Sequence, residues 1–177
     1  PVQDVDATRY RRASRYCESD GLTAFARAEF RELEGLPLLE AVSSWVGQRV
    51  AYVTGWSRPT DGAVSTLLAR QGVCRDFSHL GIALCRALNI PARYFAGYAY
   101  ELDPPDFHAC FECFIGGSWT VFDATQLAHL NGLVRIGTGR DAADAAVASI
   151  FGNATCQKMV VSCTLGEGQV FRPIDRK

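Results

Sequence analysis

The chain has 177 residues, 48% of them hydrophobic and 21% charged, with a formal net charge of −1. That is length enough for one domain with a proper core, and the composition is that of an ordinary globular protein. The near-neutral balance, with no basic block, offers nothing to nucleic acid or an anionic membrane, and no apolar run approaches the length of a membrane span.

The chain starts at Pro1, and residues 1–20 are polar and irregular, so they are expected to be a lead-in from a missing upstream segment. Residues 21–177 are read as a single domain. Residues 22–33 are Ala-rich and suited to helix. Beyond Pro37, the residues Leu38, Val42, Trp45, Val46, Val50 and Val53 recur with a helical period and predict a buried stripe. The stretch TGWSRPTDG (54–62) reads as a loop, and a short helix over 63–70 leads to Gly72.

From Cys74 onward, Phe77, Leu80, Gly81, Leu84, Cys85 and Leu88 have the spacing of a helix buried on one face, which Asn89 and Pro91 stop. Strands are expected over 92–101, 108–115, 119–123, 133–136 and 158–165, with Gly116-Gly117 as a hairpin turn between the second and third. Helices first and a mostly antiparallel sheet second predict an α+β fold. The seven cysteines (17, 74, 85, 110, 113, 156 and 163) are odd in number and scattered through apolar stretches. That pattern favours unpaired thiols in a reducing compartment, and hence a cytoplasmic location.

Cys74 opens a helix, where unpaired N–H groups and the helix dipole favour a thiolate. Helical periodicity aims its side chain along the Phe77, Gly81 and Cys85 stripe, toward the sheet, and Gly72 would let a substrate approach closely. A nucleophilic cysteine needs a base, and three histidines are available. His79 is turned well round the helix from Cys74, and His129 lies in a turn-like segment that pattern alone does not place. His108 begins a strand and is the best-placed base. If Gly116-Gly117 closes a two-residue hairpin, Asp123 lies opposite Cys110, on the same sheet face as His108 and diagonal to it. A slip of one residue would turn Asp123 to the other face. The backbone N–H of Cys74, with Gln71 as a second donor, would stabilise an oxyanion.

The stretches GVCRDFSHLGIALCRALNIPARYFAGY, DFHACFE and WTVFDAT, in that order, resemble the transglutaminase-like superfamily, specifically its bacterial members. GRDAADAA and FGN further along, and SRYC before, also resemble it. This resemblance implies a papain-like α+β core, with the cysteine helix packed on a mostly antiparallel sheet. It also implies a Cys–His–Asp triad at Cys74, His108 and Asp123, acyl transfer on peptide or protein amides through a thioacyl intermediate, and no cofactor. Bacterial relatives often carry an upstream β-rich domain. Two positions depart from the family pattern: Cys110 stands where a Trp is usual, and Ala124 where a Pro is usual. Cys110 should share the face of His108 and border the pocket, and Tyr98 is a further pocket candidate.

Two competing readings remain at this stage. One is a catalytically inactive scaffold that binds a peptide or protein. The other is a zinc module built on Cys110 and Cys113, which strand alternation disfavours by pointing the two thiols to opposite faces. The pattern indicates no metal site, nucleic-acid partner or membrane partner, and says nothing of oligomeric state. Cys85, Cys156 and Cys163 read as small core residues. Arg75 and Asp76 are compatible with either a cleft or a solvated first turn.

Overall fold

The computed structural model describes residues 8–148 and 152–174. A short 3₁₀ turn, Ser19–Leu22, leads into α1 (Thr23–Glu29) and α2 (Gly35–Arg49). Next come β1 (Ala51–Tyr52), α3 (Ala63–Ala69), β2 (Gln71–Gly72) and α4 (Cys74–Ala87). The second half holds β3 (Ala92–Ala99), β4 (Phe107–Ile115), β5 (Ser118–Phe122), a 3₁₀ turn and β6 (Leu133–Gly139). The four long strands form one antiparallel sheet in the order β5-β4-β3-β6. The architecture is α+β, as the order of sequence signals predicts.

Helix α4 is the centre of the molecule. Its start is held by Asp76, whose Oδ2 accepts the Val73 N–H at 2.8 Å and so satisfies a donor that the helix leaves open. Its end is a left-handed residue, Asn89 (φ 63°), with the Ile90 N–H returning to the Cys85 carbonyl at 2.9 Å. The expectation of burial on one face understated its position, because every residue from Asp76 to Ala87 is buried. The sheet covers one side, while α1, α2, α3 and the first 3₁₀ turn cover the other. Arg86 can therefore be buried only because it is fully engaged. It donates to the carbonyls of Arg12, Ala92 and Arg140 and to Ser14 Oγ.

The β4–β5 hairpin has the predicted register, from Ile115↔Ser118 at the turn to Phe111↔Phe122 at the far end. Gly116 and Gly117 both have positive φ (59° and 84°), as a two-residue turn matching strand twist requires. Three features depart from expectation. Val53 is not helical, because α2 stops at Arg49 and residues 51–52 pair in parallel with 71–72. This small ribbon, tied by N–H donation from Ala51 to Arg70 and from Val53 to Gly72, was not visible in the pattern. Residues 158–165 form no strand: they are mostly exposed, with no ladder partner to hold them. Residues 10–17, expected as lead-in, reach the core through Tyr10 and Cys17.

Gly81 sets how closely α4 lies on β4, since a Cβ there would fall 2.7 Å from the Phe111 ring. Replacing Gly81 by Ala should therefore force the helix off the strand and destabilise the protein by about 1–3 kcal/mol despite the better helix propensity of Ala. Urea unfolding checks this; equal or greater stability would show that the contact yields without strain.

Candidate active site

The mouth of α4 faces the end of β4 that carries His108. Cys74, the first residue of α4, is partly exposed, whereas His108 and Asp123 are buried. Asp123 follows β5 directly, one residue past the Phe111↔Phe122 pair, and its Oδ2 lies 2.8 Å from His108 Nε2. Because the carboxylate accepts, Nε2 carries the proton in the neutral ring. Asp123 is itself locked: Oδ1 accepts from the Thr125 N–H (2.9 Å) and hydroxyl (2.6 Å), and Oδ2 from the Ala128 N–H (3.2 Å). The carboxylate thus shapes its own turn and holds the imidazole at the same time.

The thiols of Cys74 and Cys110 both lie near the His108 ring, placed to favour its charged form. Burial works against charging that ring, yet Asp123, Cys110 and Cys74 outweigh it and hold its pKa above the usual value. Burial pushes the Cys110 thiol up to about 12, with His108 working the other way. The ligand atoms of His108, Cys110 and Asp123 lie within 4.8 Å of one another, a spacing that a metal ion could use. Cys113 is turned away from this group, its sulfur 3.5 Å from that of Cys85.

The remaining candidates fall elsewhere. Gln71 lines a separate hollow with Trp56, Asp61 and Asp76, because the parallel pairing of β2 directs it away from Cys74. Tyr98 packs on Phe107 with ring centroids 5.2 Å apart and does not line the cavity at Cys74. Gly72 leaves room for Asp76 rather than for a substrate, since a Cβ there would lie 2.6 Å from Asp76 Cβ. Arg75 and Asp76 are not a solvated turn. Asp76 Oδ1 accepts the Ser57 hydroxyl at 2.9 Å, and Arg75 donates to Ser57 Oγ and the Arg58 carbonyl, clamping the 54–62 loop to the helix mouth.

Sequence reasoning missed Tyr52. Register Tyr52↔Gly72 brings it beside the helix mouth, with its ring 5.9 Å from Phe77 and its hydroxyl near the backbone N–H of Cys74. Only the β1–β2 pairing reveals this, and two-residue strands leave no periodic trace.

His79 points away from Cys74, as expected, and its ring lies between Tyr16 (5.1 Å) and Tyr94 (5.2 Å). Its Nε2 accepts the Ala142 N–H at 3.1 Å. His129 lies in a hollow beyond Asp123, beside Glu40 and Ser43.

The helix that opens on Cys74, packed on an antiparallel sheet that carries the His108–Asp123 pair, gives a transglutaminase-like α+β fold. The family model of the transglutaminase-like superfamily matches residues 30–124, and the chain belongs to that superfamily. A crystal structure from Cytophaga hutchinsonii, whose name assigns it provisionally to the cysteine proteases, superposes with a TM-score of 0.95 at 52% identity. The match covers 99% of this chain and 61% of that one. The periplasmic domain of TgpA from Pseudomonas aeruginosa, bound to ethylmercury, shares the fold at a TM-score of 0.57 and 22% identity, over 72% of this chain and 51% of that one. A Mycobacterium leprae protein is 26% identical over 114 residues, covering 60% of this chain and 41% of the relative. A Mycobacterium bovis protein is 36% identical over 90 residues, covering 49% and 28%. The chain thus spans less than half the length of these curated relatives. Among the described residues, no helix is long and apolar enough to cross a membrane.

Burial pushes the His79 pKa down to about 3. Its folded pKa lies below its unfolded value, so the unfolded chain binds the extra proton first. Stability is then whole above roughly pH 6.5 and falls as the pH drops toward 3, by up to about tenfold in the folding equilibrium per pH unit from this group. Thermal melts across that range should show a shallower acid limb in His79→Gln; an unchanged limb would exclude His79 as its source.

Proposed function

We propose that the chain is a cysteine-dependent amidase or peptidase that works through a thioacyl intermediate. The observation that carries this reading is that the Cys74 thiol shares a cavity with the His108 ring, which the buried, locked Asp123 holds at 2.8 Å. His108, with its pKa held up, takes the Cys74 proton as sulfur bonds to the amide carbon. The developing oxyanion sits against the Cys74 N–H and the Tyr52 hydroxyl. These two donors lie near each other, and an oxygen can accept from both once the hydroxyl proton turns toward it. Protonated His108 then gives its proton to the leaving nitrogen as the C–N bond breaks. In the second half, His108 takes a proton from water, which attacks the thioester and releases the acid and the thiol. Asp123 keeps the ring in one tautomer throughout.

Hydrolysis is preferred over transfer to an amine because the relative that is 52% identical is named for protease activity. The superfamily also directs attention to peptide or protein substrates.

Iodoacetamide at neutral pH should alkylate Cys74 ahead of the other thiols; uniform slow labelling of all seven cysteines would defeat the reading. Turnover of a peptide library, measured with and without a primary amine, should vanish in Cys74→Ala and survive in Cys110→Ala. Amine incorporation outrunning hydrolysis would assign transfer instead. Asp123→Asn should lower kcat by about 10²–10⁴ with the fold intact. Tyr52→Phe should lower kcat about ten- to a hundredfold with little change in KM, a modest loss for an oxyanion donor because Tyr52 is part exposed.

A further inference from the structure

Cys74 and His108 open on a cavity of about 330 Å³ whose walls are unusually small and apolar. Two of its alanines, Ala96 and Ala109, are cross-strand partners on β3 and β4. The opposite wall comes from the segment after β6, through Ala142, Ala145 and Val147, and Tyr94 adds an aromatic face. Each alanine leaves a space that a larger side chain would have filled, so the cavity is room set aside rather than a packing fault.

Its electrostatics are equally plain. Apart from Cys74 and His108, the ionisable groups among the described lining residues are Arg75, the half-buried Tyr16 and the buried Tyr94. The charge of Arg75 is answered by Asp76 at 3.6 Å, and its terminal nitrogen is engaged by Ser57 and the Arg58 carbonyl. Arg75 Nε, unlike the terminal nitrogen, is buried without a partner, which suits it to a neutral peptide carbonyl at the mouth. A charged side chain entering this space would lose water, and the cationic groups lining it are already engaged, Arg75 by Asp76 and His108 by Asp123.

The movable-looking wall is in fact fastened from below. Asp141 accepts the N–H groups of Tyr16 (3.0 Å) and Ala143 (2.9 Å). Ala142 donates to His79, and the Arg140 carbonyl accepts from Arg86 at 2.6 Å. Arg140 and Asp144 close the turn through two contacts of 2.7 and 2.9 Å. A wall preorganised in this way can discriminate by shape without first paying to order itself.

We propose that this cavity receives the side chain of the residue that donates the acyl group, and that it selects a bulky, uncharged, apolar one of the leucine, methionine or phenylalanine class. The inference rests on the acyl-transfer reading above. The acyl part stays tethered to Cys74 through both half-reactions, while the amine leaves past His108, so a pocket at the sulfur acts on the acyl residue.

Two measurements test it with one series of peptides varied at the acyl-donor position. The first is turnover by the unaltered protein; the second is anisotropy of fluorescein-labelled peptides with Cys74→Ala, which keeps the pocket but not the chemistry. Donors carrying Leu, Met or Phe should exceed those carrying Gly, Asp or Lys by about tenfold or more in kcat/KM and in affinity. Ala145→Leu should erase that advantage, bringing Leu, Met and Phe donors down to the level of Ala donors or below. Val147→Phe, at an exposed position of the same wall that tolerates change, should do likewise if the first variant fails to fold. A flat or charge-preferring profile, or wall variants that leave the ranking unchanged, would overturn the proposal. Turnover with a flat profile removes the pocket and keeps the enzyme, whereas apolar-selective binding without turnover removes the enzyme and keeps the pocket.

Discussion

The 2.8 Å contact between His108 Nε2 and Asp123 Oδ2 is the constraint around which the molecule is arranged. It is nearly dry, since neither side chain is more than 2% exposed, and a carboxylate at such a place is tolerable only with its acceptor sites filled. Thr125 and Ala128 fill them, and in doing so they bend the chain sharply after β5. The ring so held lies near two thiols, Cys74 at the mouth of α4 and the buried Cys110 on β4. Chemistry and fold meet in that bond: the turn that ends the hairpin is also the group that orients the base.

Everything that positions Cys74 is directed at the same meeting point. Asp76 closes the first turn of α4 from inside, and the absent Cβ of Gly72 makes room for it. Arg75 and Asp76 together hold the 54–62 loop against the helix mouth through Ser57. On the other side, Gly81 lets the helix lie against Phe111, which shares its strand with His108. The nucleophile and the base therefore belong to one packed unit, and a shift of helix against strand would open their contact.

Around this unit lies a second layer of buried polar groups with a structural task. Arg86 gathers carbonyls from the N-terminal stretch, from β3 and from the segment after β6, all of which lack a ladder partner at those points. His79, neutral and stacked between tyrosines, accepts from Ala142 and so fastens the apolar wall that faces the sulfur. These contacts convert an irregular segment into a fixed surface. They are costly if half made and specific when complete.

Periodicity and turn chemistry in the sequence determined α4, its stop at Asn89, the hairpin at Gly116-Gly117 and the face shared by His108, Cys110 and Asp123. Those features are local: they follow from spacing, from glycine at positive φ and from strand alternation. The tertiary structure alone decided the rest. Residues 51–52 and 71–72 pair across a whole helix, which brings Tyr52 to the Cys74 N–H and carries Gln71 away from it. Residues 158–165 have strand-like composition but no ladder partner, and Ala142 through Val147 became a pocket wall because distant side chains hold them there. A contact between residues far apart in the chain depends on where both elements come to rest, and no local pattern encodes that.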